Sequence, residues 1–176
     1  MTRFLVISAV GEDRPGLVNT LSESMLELGA NIDESRMALL GGEFAMILLV
    51  SADEAVIDKL QQALPQISQQ TGLTISGKET TPRPEGERTM PYEVTVVAMD
   101  QPGIVHSVTD FFASRGINIR ELSTRTYAAA HTGAPMFSME MMVDIAAGNR
   151  LSLLRNEFVE YCDDQLIDAM IEPVAG

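Results

Sequence analysis

The segment Asp13-Arg14-Pro15-Gly16-Leu17-Val18 returns 87 residues later as Asp100-Gln101-Pro102-Gly103-Ile104-Val105. At the same offset Gly29-Ala30-Asn31-Ile32-Asp33-Glu34 returns as Gly116-Ile117-Asn118-Ile119-Arg120-Glu121. Across the 22 ungapped positions from Asp13 to Glu34, eight are identical and most others exchange like for like. A repeat of this length and spacing constrains the chain to two copies of one unit. Half of 176 residues suffices for a small domain with its own core. Between the copies, Thr80 to Pro91 holds three prolines and a glycine and lacks any apolar period, so it reads as a linker. The expected organisation is a domain at 1–80, a linker at 81–90 and a second domain at 91–176.

Each half yields the same order of elements. Phe4 to Val10 is a nearly continuous apolar run of strand length, with its counterpart at Tyr92 to Met99. Asp13 or Arg14 can cap a helix whose first turn holds Pro15, and Leu17, Leu21, Met25 and Leu28 keep helical spacing until Gly29. The copy uses Ile104, Val108, Phe111 and Phe112 before Gly116. Asn31 to about Leu40 reads as a second strand, Gly41-Gly42 as the positive-φ residues of a tight hairpin, and Phe44 to Val50 as the return. In the second copy Ala128 to Ala134 makes a longer hairpin, and Phe137, Met139, Met141, Val143 and Ile145 alternate with Ser138, Glu140, Met142 and Asp144, so one face is buried.

Ser51-Ala52-Asp53-Glu54 fits a capping box for a helix through Val56, Leu60 and Leu64, which Pro65 kinks or interrupts. Asn149 opens the equivalent helix, which runs through Tyr161. Thr74 to Thr80 and Gln165 to Glu172 close the units as last strands. The order βαββαβ predicts an α+β protein made of two tandem ferredoxin-like domains, each an antiparallel four-stranded sheet with both helices on one face.

Charge narrows the function classes. Twelve basic against 25 acidic residues give a net charge of −13, a field that repels phosphate backbones and anionic lipid. Direct nucleic-acid binding and a membrane surface are therefore not expected. The chain opens straight into a strand pattern and carries no apolar run of the roughly 20 residues a membrane span requires, so a cytoplasmic location is expected. One cysteine, Cys162, and two histidines, His106 and His131, give no framework for structural zinc, and neither metal nor cofactor is expected. Cys162 falls on the apolar side of a helix, where a small buried hydrophobe is expected.

Pro15-Gly16 and Pro102-Gly103 sit where a strand hands over to a helix, so unpaired N–H groups and the positive helix end face the loop, an arrangement that suits a carboxylate. Asp13 or Asp100 can attract an ammonium group, glycine lets backbone approach a ligand closely, and Asn31 or Asn118 offers a donor and an acceptor. The expected ligand-binding residues are Asp13, Arg14, Pro15, Gly16, Leu17, Val18, Asn31 and Ile32, with Asp100, Pro102, Gly103, Ile104, Val105, Asn118 and Ile119 in the copy. The two motifs are expected side by side at one end of the sheet. Capping and turn formation explain part of the same pattern.

A strand, then Asp-x-Pro-Gly-[Leu/Ile]-Val, a helix, and Gly-x-Asn-Ile-x-Glu opening the next strand resembles the ACT domain, a regulatory module that commonly binds amino acids. As two such units for which no catalytic or DNA-binding domain is expected, and with Ala9 to Thr20 and Asn31 to Gly41 in detail, the chain resembles the glycine cleavage system transcriptional repressor family. That resemblance implies an accessory repressor that acts on a LysR-type activator protein, with glycine as its signal. The second copy departs from the first: Gln101 replaces Arg14, His106 replaces Asn19, and Leu122-Ser123 stand for Ser35-Arg36. The first copy is therefore expected to be the better site.

Other motifs weigh less. Gly72 to Glu79 nearly spells a phosphate-binding loop, but Glu79 stands where Ser or Thr must hold magnesium, and the segment leads into a strand. Met136, Met139, Met141 and Met142 near His131 are soft-metal ligands by type, yet strand alternation places them as packing. His106 reads as a packing or capping residue. No nucleophile with a base, and no convergent acid and base, is legible, so no enzyme is expected. The rival reading is an interaction module whose edge strands pair within or between chains, giving a homo-oligomer without a ligand.

Overall fold

The computed structural model describes residues 2–82, 89–146 and 151–174. The chain forms two compact units, residues 1–84 and 85–176. The first runs β1 (Thr2–Glu12), α1 (Leu17–Leu28), β2 (Asn31–Leu40), β3 (Glu43–Asp53), α2 (Glu54–Thr71) and β4 (Thr74–Thr80). The second repeats it as β5 (Thr89–Met99), α3 (Ile104–Ala113), β6 (Asn118–Ala128), β7 (Pro135–Ala146), α4 (Leu151–Asp163) and β8 (Asp168–Pro173). The sheets have the orders β2-β3-β1-β4 and β6-β7-β5-β8, with every recorded pairing antiparallel. Both are the ferredoxin-like arrangement that the repeat implies.

Alternation decides which face each sheet buries. In β1, Leu5, Ile7 and Ala9 are fully buried, as are Phe44, Leu48 and Val50 of β3, against Leu17, Leu21 and Met25 of α1 and Ile57 and Leu60 of α2. In the second unit Val94, Val96, Met139, Met141 and Val143 meet Phe111, Phe112 and Phe158. There the Phe158 ring lies 5.0 Å from that of Phe111 and 4.9 Å from that of Phe112, tilted packing that adds to area burial. Apolar burial of this kind stabilises by about 25 cal/mol per Å².

Several local expectations need correction. Neither Asp13 nor Arg14 caps α1: the N-cap is Gly16 at φ 93°, with no side-chain cap, and Pro15 lies in the turn before the helix. Gly103 at φ 98° does the same for α3. A left-handed residue turns the chain more sharply than an extended Asp cap allows, and glycine takes that φ without strain. In the β2–β3 hairpin only Gly41 is left-handed, at φ 65°. The capping box does not form: Ser51 lies within β3 and donates to Asp33 Oδ1 at 3.0 Å, and Asp53 makes no side-chain cap. Pro65 neither ends nor divides α2, which continues to Thr71. Strand β5 starts at Thr89, inside the expected linker, because Pro91 lies beyond the last β5–β8 pair and its missing N–H is not required there. Strand β8 starts at Asp168, since Gln165 and Leu166 form the turn after α4. Asn149 and most of the expected linker lie outside the described residues.

Candidate functional site

The loop after β1 is fixed from three sides. Asp13 N–H donates to the Gly42 carbonyl at 3.2 Å, which ties the loop to the β2–β3 hairpin, and Thr20 N–H donates to Gly16 O at 2.9 Å as the first bond of α1. The Arg14 guanidinium reaches the other way and donates to Thr71 O at 2.9 Å, at the carboxyl end of α2. These ties leave a cleft of about 320 Å³ lined by Asp13, Arg14, Gly16, Leu17, Val18, Asn19, Met37, Leu39 and Phe44. One wall carries the Asp13 carboxylate and the free N–H groups at the amino end of α1, whose dipole favours an anion. The opposite wall is apolar and comes from β2 and β3. A zwitterion with a small side chain fits that division of charge.

The structure separates the two expected motifs. Helix α1 runs back along the sheet, so β2 starts at the far end: Asn31 pairs with Ser51, which faces Phe4 across β1, whereas the Asp13 loop follows Glu12. Some nine residues of strand lie between, about 30 Å. Asn31 and Ile32 therefore do not join Asp13 within one unit, contrary to the side-by-side expectation. At its own end Asn31 Nδ2 donates to Asp33 Oδ1 at 2.5 Å. The second unit repeats the separation, because Asp100 N–H donates to Pro135 O at 2.9 Å while Asn118 pairs with Asp144. At that far end an ion pair replaces a carboxylate with neutral partners: Arg120 stands for Asp33 and Asp144 for Ser51, and the Arg120 guanidinium lies 2.7 Å from Asp144 Oδ1.

Within the first cleft Asp13, Arg14, Gly16, Leu17 and Val18 come together as expected. Met37, Leu39 and Phe44 were not anticipated. The alternation of β2 could have named Met37 and Leu39, since they share the helix-side face with Ser35, but only the register fixes which end of the strand meets the loop. Arg14 is spoken for by α2. Among the described residues no group of three or more His, Cys, Asp or Glu could hold a metal ion, and no helix is long and apolar enough to cross a membrane.

Comparison with known proteins agrees with this architecture. Residues 3–78 match the ACT domain family. The chain is 32% identical over 161 residues to the glycine cleavage system transcriptional repressor of Escherichia coli K12, covering 92% of this chain and 85% of that one. A crystal structure provisionally assigned to a glycine cleavage system transcriptional repressor superposes with a TM-score of 0.77 at 30% identity, covering 100% of this chain and 99% of the other. A protein of unknown role from Galdieria sulphuraria superposes at 0.79 and 32% identity, covering 99% of this chain and all of that one. Two repeated units, one likeness spanning both of them and the same fold in a solved relative have a single reading: the chain belongs to the glycine cleavage system transcriptional repressor family of tandem ACT-domain proteins.

Proposed function

We propose that this chain is an amino-acid-responsive accessory repressor of the glycine cleavage system that works in the cytoplasm, takes glycine as its signal and binds a LysR-type activator protein rather than DNA. The observation that carries the ligand reading is the cleft at the amino end of α1. It sets a carboxylate side chain beside free helix N–H groups, so one wall addresses both charges of an amino acid. The net charge of −13 supports a protein partner over nucleic acid, and a regulator without turnover accords with the family. The linkage is thermodynamic: a ligand that prefers one state of the repressor changes affinity for the partner by about 1 to 3 kcal/mol in typical cases.

Asn31 and Ile32 enter a cleft only when another edge strand brings them. A second copy of the chain pairing its β2 antiparallel with this one, centred on Ser35, sets Glu34 opposite Arg36 and carries Asn31 to the Met37–Leu39 end. Glu34 and Arg36 already pair within the strand at 3.1 Å, and that register lets the two pairs join as one network of alternating charge. The homo-oligomer would then complete the site rather than merely enlarge the molecule.

Titration calorimetry with glycine, serine, alanine and branched amino acids tests the reading. Saturable binding of glycine, weakened at least about tenfold in Asp13→Ala, is expected from the loss of a charged hydrogen-bonding partner. Partner binding that ignores every amino acid in the panel would instead favour an interaction module, which the exposed edge residues Met37 and Leu40 also suit.

A further inference from the structure

We infer that Arg14 is a positioning residue of the first cleft, tying the ligand loop to the α2–β4 turn, and that this cationic tie from the loop itself is particular to the first copy. Three observations converge on the turn. The Arg14 guanidinium donates to Thr71 O at 2.9 Å, where the last carbonyls of α2 have no helical partner and the dipole favours a cation. Thr71 is itself buried and held, its Oγ1 donating to Ile67 O at 2.7 Å and accepting from Leu73 N–H at 3.3 Å. The end of β1 rests on the same turn at Gly11, where an added Cβ would stand 2.9 Å from Leu73 Cδ2 and 3.3 Å from Gly72 O.

Loop, strand end and turn thus form one block, and a ligand that orders the loop orders the end of α2. At the 87-residue offset the second copy has Ala98 for Gly11 and Gln101 for Arg14, so the cation is gone, and the first turn of α3 meets the equivalent turn through Ser107 Oγ, which donates to Gln165 Oε1 instead. Arg14 therefore acts through the loop and does not need to touch the ligand. Its ligand arm rests on the amino-acid reading above; the tie itself does not.

Amide hydrogen exchange on the full chain, with and without glycine, for wild type, Arg14→Gln and Arg14→Lys, tests this alongside calorimetry with the same amino-acid panel. Arg14→Gln is expected to speed exchange of the Gly72 and Leu73 amides and of residues 15–20 together, about tenfold, with β3 unchanged, and to weaken amino-acid binding by a similar factor. Arg14→Lys, which keeps a cationic donor, should recover part of both effects. Unchanged exchange at Gly72 and Leu73 in Arg14→Gln overturns the tie, and so does a uniform acceleration that includes β3. Loosened segments with undiminished amino-acid affinity overturn the positioning role. A wild type that binds no amino acid, while Arg14→Gln still loosens both segments together, sinks the amino-acid reading and leaves the tie standing.

Discussion

Cys162 is fully buried in α4, within the core that holds Phe158 and Ile171. Burial disfavours its thiolate, with a smaller push from Asp163, and raises the thiol from 9.0 to about 12. The unfolded chain releases this proton near pH 9 while the folded chain keeps it, so the group stabilises the fold fully below that pH. The contribution fades as pH rises toward the folded value, with a limiting slope of about 1.4 kcal/mol per pH unit. Urea midpoints for wild type and Cys162→Ala, compared from pH 8 to pH 11, should therefore converge as pH rises. A constant gap would mean that the thiol ionises as readily inside as outside. Arg14 teaches a different lesson at this scale. Its place next to Pro-Gly made it a ligand candidate and it does line the cleft, but side-chain reach is not written in a motif, and the bond from its guanidinium to Thr71 O is visible only in the fold.

Helix endings show how the two copies solve one problem with different residues. After α2 the left-handed position is Gly72 at φ 75°, and after α4 it is Leu166 at φ 59°. A branched side chain in that region costs about 1 to 2 kcal/mol, and Leu166, 88% exposed, recovers little by packing. Leu166→Gly should raise the stability of the second unit by about 0.5 to 1 kcal/mol after the added freedom of the unfolded chain is deducted, read as a shift in its thermal or urea midpoint. A loss of stability would mean that Leu166 makes a contact worth more than its strain. Element type and order were legible because apolar spacing switches cleanly between two and 3.6 residues and because each pattern occurs twice. Element ends were less so. Gly16 replaced Asp13 as cap, and Ser51 stayed in β3, because caps depend on the path of the flanking chain, which the periodicity of the helix does not describe.

For the whole molecule, the order and antiparallel hand of both sheets followed from the repeat, whereas the meeting of the candidate site residues did not. Asp13 and Asn31 are 18 positions apart in sequence and close in motif, yet α1 carries the chain the length of the sheet between them. The cleft partners Met37, Leu39 and Phe44 emerge only once β2 is set in register against β3. Charge acts at this same scale. With a net charge of −13, association with a basic surface on an activator should weaken at least about fivefold between 50 and 300 mM salt, mainly through slower encounter, as stopped-flow or surface-capture kinetics would show. Salt-independent association would assign the contact to apolar groups.

The place of β1 in its sheet also bears on how the protein is made. Within the first unit the strand made first is a central one, and both its neighbours, β3 and β4, come later in the chain. At about 5 to 20 residues per second, β1 waits several seconds for β3 to emerge. During that interval its apolar face has α1 as a local cover. Pauses before Asp53 has emerged should therefore expose a sticky nascent chain, and pauses after Thr80 has emerged should not.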